Sequence, residues 1–306
     1  MSESSPPPWT PQRAEAAPFS EGWCHALRRE LVGVGTGDAL HPALHAAYRL
    51  LRHPNNAAVR RRVGEGYTLV ETGQHLDGLT QPLRDIFYPA NRAASTGGAR
   101  TGGSSRGTQV DREITALVNR GAMPASGRLH PYAHRMLDFL HRHRLQPCAA
   151  QFIVYDLRLR IATEIDIVCI DLRARYEGGR SNVVFVECKT GFDRNYEVPS
   201  GWLFSPFVDS SPLTRIQMSH RAAHQLQALV QYMMGHLNYD RLVLRAVVLV
   251  LSESENRLFS VARDLDDCKY DVYQNLRLRL THGAEEVHRR GAAAAAREAR
   301  ARAFFS

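Results

Sequence analysis

Two strand-like stretches of this sequence carry charge where an apolar core strand should have none. In ATEIDIVCID (162–171), Asp166 lies among Ile165, Ile167 and Val168; in VVFVECKTG (183–191), Glu187 and Lys189 close an apolar run. Side chains alternate along a strand, so Glu187 and Lys189 share one face and Cys188 takes the other. Three charges beside a hydrophobic sheet are costly to bury unless they pair or hold a metal. The 21 residues from Asp166 to Glu187 suit two strands joined by the turn at Glu177-Gly178-Gly179-Arg180. Registered as a hairpin, Asp166 and Glu187 converge on one cation, with Lys189 beside it. That grouping suits phosphodiester hydrolysis. A hard cation held by oxygen ligands polarises the phosphoryl oxygen and activates water, and an adjacent lysine orients that water or offsets developing negative charge. An isolated Glu-x-Lys triplet is most often a surface ion pair. Here the apolar flanks, Asp166 on the preceding strand and the overall charge weigh against that reading.

The 306 residues carry 39 Lys+Arg against 31 Asp+Glu, a formal net charge of +8. Nearly all the basic residues are arginine, whose planar fork suits phosphate, and a basic surface favours a polyanionic partner. Arg194 and Arg215 flank the expected site and are candidates for gripping phosphates. Trp202, Phe204 and Phe207 can stack on unpaired bases or simply pack on their own domain. Five cysteines without CxxC spacing fit neither a disulfide framework nor a zinc site and point to a reducing, intracellular compartment. No stretch of 18 apolar residues predicts a membrane span, and the first residues lack the pattern of a secretory signal. The fourteen histidines show no HExxH spacing, and no GxxxxGK[ST] loop implies ATP use.

Elements must position these residues. Residues 1–20, with five prolines, read as a disordered leader, and 21–92 as an N-terminal helical region in which 65–92 has no clear pattern. Residues 93–106 read as a Gly/Ser-rich linker. From there the pattern is helix 108–120 with Thr108 as N-cap and Val110, Ile114, Leu117 and Val118 on one face, then helix 131–144. Strands 149–156, 159–171 and 182–189 follow, then helix 215–236, strands 243–252 and 257–262, and helix 264–281. This predicts an α/β domain over 107–282 with a central mixed β-sheet flanked by helices, followed by a basic Ala/Arg-rich tail at 283–306. Residues 1–92 hold none of the site residues, so a chain starting near Thr101 is expected to keep the site.

The strand pair Ile165-Asp166 and Val186-Glu187-Cys188-Lys189 resembles the signature of the PD-(D/E)XK nucleases. Within that superfamily it is similar to the RecB-like branch that includes mitochondrial genome-maintenance exonucleases. Gly107-Thr-Gln-Val-Asp111 is similar to that branch's Gly-x-x-x-His segment, with Asp111 where histidine is usual. His224-Gln225-Leu-Gln227 looks like its glutamine motif, with Gln231 at the position of the usual tyrosine. The resemblance implies a restriction-endonuclease-like core and a Mg²⁺- or Mn²⁺-dependent deoxyribonuclease, exonuclease-like in action. Asp166, Glu187, the Cys188 carbonyl and Asp111 would hold the metal. Lys189 and Gln227 would complete the catalytic group, and Gln225 would contact the nucleic acid. Glu164, on the face of Asp166, is a further ligand or a competing charge, and Glu113 reaches the metal or is an exposed helix glutamate. The alternative is a catalytically inactive relative that keeps the fold as a nucleic-acid-binding or assembly module.

Overall fold

The computed structural model describes residues 21–33, 35, 40–62, 66–88, 103–173, 182–191, 195–252, 255–261 and 265–305. The expected leader at 1–20, most of the expected linker, the turn at 177–180 and Arg194 lie outside them. The elements in chain order are α1 (Glu21–Gly33), α2 (His45–Leu51), β1 (Val59–Arg62), β2 (Gly66–Leu69), β3 (His75–Gly78) and α3 (Thr80–Phe87). Then come α4 (Gly103–Arg120), α5 (Pro131–Arg142), β4 (Leu145–Asp156), β5 (Ile161–Asp171) and β6 (Val183–Thr190). The chain continues through α6 (His220–Asn238), β7 (Val243–Leu251), β8 (Asn256–Ser260) and α7 (Lys269–Phe305).

The strands form one mixed eight-stranded sheet in the order β1-β2-β3-β5-β6-β7-β8, with β4 paired to β5. The fold is α/β with helices on both faces, as the alternation of helical and strand patterns predicts. On one face α4 and α5 bury Val110, Ile114, Leu117, Val118, Met136 and Leu137 against Ile167, Val184 and Val186. On the other, α6 lays Leu226, Leu229 and Val230 against Phe185, Val243 and Val248. Strand β7 is covered on both sides, which is why its sequence is an almost unbroken apolar run; Val247, Val248, Leu249 and Val250 are all buried.

Gly235 sets the approach of α6 to the sheet. A Cβ there would lie 2.5 Å from Cε2 of Phe185 and 3.1 Å from Cγ2 of Val243. Phe185 is a fully buried ring that cannot swing aside. Gly235→Ala is therefore expected to lower stability by ~1–3 kcal/mol, outweighing the ~1 kcal/mol helix-propensity gain of alanine. Thermal melting checks this; an unchanged or raised midpoint would mean that α6 can lift away freely.

The structure differs from the sequence expectation mainly before residue 108. The region read as helical also contains strands: β1, β2 and β3 build a small antiparallel ribbon, with Arg61 opposite Tyr67 and Tyr67 opposite Leu76. Its last strand joins the main sheet in parallel, Asp77 to Ile161 and Gly78 to Ala162. Four-residue strands such as VRRR are too short to show alternation, so pairing, not pattern, makes them strands. Helix α4 begins at Gly103, so Thr108 is an interior residue and no N-cap, and the expected linker ends four residues earlier. The last helix runs into the tail, interrupted only by the left-handed backbone of Gly283 at φ 74°. In that tail Val287 is buried, and Arg290 donates to the Pro206 carbonyl at 2.6 Å, so its first turns pack on the body.

Candidate functional site

The site forms where two strands part. Antiparallel pairing of β5 with β6 runs from Ile170 opposite Val183 to Ile167 opposite Val186. The next pair in that register is Asp166 and Glu187, and there the ladder stops, while β6 continues against β7 through Thr190. On the same edge of β5, β3 pairs only with residues 161 and 162. Residues 163–166 thus face a gap in the sheet, between the end of β3 and the departure of β6. Backbone groups in such a gap need other partners. The Cys188 amide donates to Asp166 Oδ2 at 2.7 Å. The Glu164 carbonyl accepts from Gln231 Nε2 at 3.2 Å.

Glu187 is the centre of the network and almost fully buried, at 2% exposure. Its carboxylate accepts from three side chains. Lys189, two residues on and on the same face as alternation requires, ion-pairs with Oε1. Gln227 Nε2 donates to Oε1 at 2.6 Å, and Gln231 Nε2 to Oε2 at 2.7 Å. Gln227 and Gln231 stand four residues apart on α6 and therefore share a face. Gln225, two residues from Gln227, cannot share that face. Its Nε2 donates to the Ser260 carbonyl at 2.9 Å and its Oε1 accepts from Arg221. At 3% exposure it holds β8 to α6, so the nucleic-acid contact expected of Gln225 is not supported.

Charge is concentrated here. Burial, then the Glu187 charge, hold the Asp166 carboxyl well above its ordinary range. Burial pushes Asp111 up to about 6, with Lys189 pulling it down and Glu187 pushing it up further. Burial alone would lower the Lys189 ammonium, but Glu187 and Asp166 overcome this and keep it protonated. Lys189 is thus a cation and not a base. Three tyrosines from outside the expected motifs complete the surroundings. Burial raises Tyr67 and Tyr88 to about 12, and Tyr67 feels Glu164 and Glu187 while Tyr88 feels Lys189. Tyr196, fully buried, is coupled to Lys189 as well.

Several other expectations are corrected by position. Glu113 is neither exposed nor at the site: it is buried and accepts from the His130 amide at 2.6 Å and from Gln109 at 2.9 Å, anchoring the start of α5. Glu164 ion-pairs with Arg61 of β1. Arg215 is exposed at the end of a short 3-10 turn, and no contact joins it to the carboxylates among the described residues. Phe207 packs its ring on His282 at 5.2 Å with Arg290 above it, whereas Trp202 stays half exposed. Gly107 of α4 lies beside the end of β6, where a Cβ would meet Thr190 Oγ1 at 3.4 Å, an ordinary contact.

Among the described residues no group of three or more His, Cys, Asp and Glu side chains is arranged to hold a metal ion unaided. A closed structural cage of the zinc type does not fit. The donor chemistry fits Mg²⁺ or Mn²⁺ better, since Mg²⁺ takes one or two carboxylates and fills its other positions with water and substrate phosphate. Asp166 and Glu187 are the two carboxylates at the gap that could serve in this way, with Asp111 electrostatically linked to both.

Contacts around the site that the sequence reading missed are the hydrogen bond of Gln231 to Glu187, the ion pair of Arg61 with Glu164, and the nearness of Tyr67 to Glu164. The i, i+4 spacing of Gln227 and Gln231 on one helix was a usable signal; for Arg61 and Tyr67 no local signal exists. No helix among the described residues is long and apolar enough to cross a membrane. No protein-family model matches the chain, and no curated protein matches it either, so its functional reading rests on the geometry of this site.

Proposed function

We propose that this protein is a metal-dependent nuclease that hydrolyses phosphodiester bonds, in DNA by preference. The observation that carries the reading is that Asp166 and Glu187 directly follow the last β5–β6 pair, Ile167 with Val186, where the two strands part, with Lys189 ion-paired to Glu187. Asp166 and Glu187 would hold a divalent cation, with the Cys188 carbonyl and Asp111 assisting. Bound there, the cation would polarise the phosphoryl oxygen and lower the pKa of a water. Lys189 supplies a fixed positive charge next to the reacting phosphate. Gln227 and Gln231 hold the Glu187 carboxylate in one orientation, so the charge is organised before substrate arrives.

End-labelled single- and double-stranded DNA, and RNA, incubated with and without Mg²⁺ or Mn²⁺ test this directly. Cleavage that requires the metal is expected; no metal-dependent cleavage of any of them would sink the proposal. A second reading is favoured by one observation. Both oxygens of Glu187 are already occupied by protein donors, as in a structural network. In that reading the chain binds nucleic acid or another partner without cutting.

The metal separates these readings through stability. A ligand that binds only the folded state stabilises it by about 2.7 kcal/mol at a hundredfold excess over its Kd. Adding Mg²⁺ or Mn²⁺ should raise the melting midpoint of the wild type by a few degrees and that of Asp166→Ala much less. Equal shifts in the two proteins would place the metal elsewhere.

A further inference from the structure

The ribbon brings an arginine to the rim of the site from a part of the chain 103 residues away. Arg61 and Tyr67 are cross-strand partners, on the ribbon face that also carries buried Val59 and Leu69. That face turns toward Glu164, whose carboxylate pairs with Arg61. Glu164 lies two residues before Asp166, and its carbonyl takes Gln231 Nε2, the same atom that donates to Glu187. The guanidinium thus lies at Glu164, one of the β5 residues that face the gap in the sheet.

Two features make this pair unlike a structural one. The Arg61 side chain is 51% exposed while that of Glu164 is 14% exposed, so the arginine reaches out over a carboxylate that is mostly covered. Arg61 offsets the cost of covering Glu164, while its own half-exposed side chain keeps the guanidinium open to solvent on one side. A guanidinium carries five donors in a planar fork, and the Glu164 bond uses only Nη1. The two oxygens of a carboxylate present much the same acceptor pair as two phosphate oxygens. The carboxylates at the gap also pose a difficulty, because a phosphodiester approaching them meets negative charge that one lysine only partly offsets.

We propose that Arg61 grips a phosphate of the nucleic-acid strand lying in the site, and that Glu164 occupies its guanidinium until that phosphate displaces it. The inference rests on the nuclease reading and names, for the same site, a substrate-contacting residue supplied by the N-terminal ribbon. Glu164 then acts as a stand-in for substrate: it keeps Arg61 oriented in the free protein and gives way to a stronger anion. Arg60, the neighbour with opposite orientation on β1, is exposed and points to the other side of the ribbon.

The experiment uses the full chain, a labelled single-stranded DNA oligonucleotide, and Ca²⁺ in place of Mg²⁺ for binding, with Mg²⁺ restored for single-turnover cleavage. Wild type is compared with Arg61→Ala, Arg61→Lys, Glu164→Gln and the double variant Arg61→Ala/Glu164→Gln. Arg61→Ala should weaken binding roughly tenfold and make the slope of log affinity against log salt shallower by about 0.7, one single-strand phosphate contact. Arg61→Lys should recover part of the affinity and all of the slope. Glu164→Gln should bind more tightly than wild type, and the double variant should behave as Arg61→Ala, because Glu164 acts through Arg61. If wild type cleaves but Arg61→Ala matches it in affinity, slope and rate, this inference is wrong and the nuclease reading stands. If Glu164→Gln weakens binding as much as Arg61→Ala and both melt earlier, the pair is structural and the inference is again wrong. If wild type neither binds nor cleaves, the nuclease reading falls and takes the inference with it.

Discussion

On the nuclease reading proposed above, Lys189→Ala is expected to lower single-turnover cleavage by ~10²–10³-fold, the range seen when one preorganised electrostatic donor is removed, while affinity for the same oligonucleotide should change little. The asymmetry follows from where the charge acts. The Lys189 ammonium is held protonated by Glu187 and Asp166, so a phosphate entering the proposed site would meet it as a fixed cation. A charge that strengthens its interaction as negative charge develops acts on the transition state and not on ground-state binding. One phosphate contact among many carries a small share of the total affinity.

The same substitution has a stability signature. Glu187 is buried, and without Lys189 its carboxylate keeps only the two glutamine donors. Leaving a buried charge without its counter-charge costs ~3–5 kcal/mol. The melting midpoint of Lys189→Ala should therefore drop in metal-free buffer and, if Mg²⁺ binds as proposed and brings positive charge to the same carboxylates, recover substantially with Mg²⁺. Lys189→Arg should keep most of the stability. A surface ion pair would behave otherwise: at ~0–1 kcal/mol its loss would be silent in melting, binding and cleavage alike. If wild type cleaves and Lys189→Ala cleaves equally well, the lysine has no part in the chemistry. A binding module shows a third pattern, with the drop in melting midpoint but no cleavage in either protein.

Removing residues 1–92 is expected to abolish cooperative folding. The sequence alone suggests the reverse, since every motif residue lies at or after position 107. In the structure the early segment is part of the core. Leu27, Leu31, Leu44, Leu50, Leu79, Leu83, Ile86 and Phe87 are at most 1% exposed and share a cluster with Val168, Phe185, Leu226 and Val243. Burying such a side chain contributes ~1.5–3 kcal/mol, against a net stability of only ~5–15 kcal/mol for a folded domain. Polar contacts cross the same boundary. Arg28 donates to the Cys148 carbonyl at 3.1 Å, Asn182 to the Ala43 carbonyl at 3.0 Å, and Phe204 to the Phe87 carbonyl at 2.8 Å. Loss of the ribbon would also strip β3 from β5 beside the gap that holds the site. Circular dichroism melting of a chain from residue 93 onward should show no cooperative transition. A sharp melt with a metal-induced shift like that of the full chain would show that the early segment is dispensable.

The sequence by itself determined the parts of this protein that depend on local periodicity. A period of two along β5 and β6 identified the strands and placed Glu187 and Lys189 together; a period near 3.6 picked out the buried face of α4. The 21-residue separation suited a hairpin, and β5 and β6 do pair antiparallel, with the ladder ending at Ile167 opposite Val186, one position before Asp166 and Glu187. Helical geometry also contained a fact left unused, that Gln225 and Gln227 cannot face the same way while Gln227 and Gln231 must. The tertiary structure alone decided what surrounds that hairpin. Gln231 reaches Glu187 across 44 residues of chain and Arg61 reaches Glu164 across 103. Four-residue strands such as β1 have too little pattern to announce themselves and gain their form only by pairing. Whether Glu113 served a metal or a loop depended on where the amide of His130 came to rest. Such contacts are chosen by packing between distant segments, and neither residue type nor spacing along the chain encodes them.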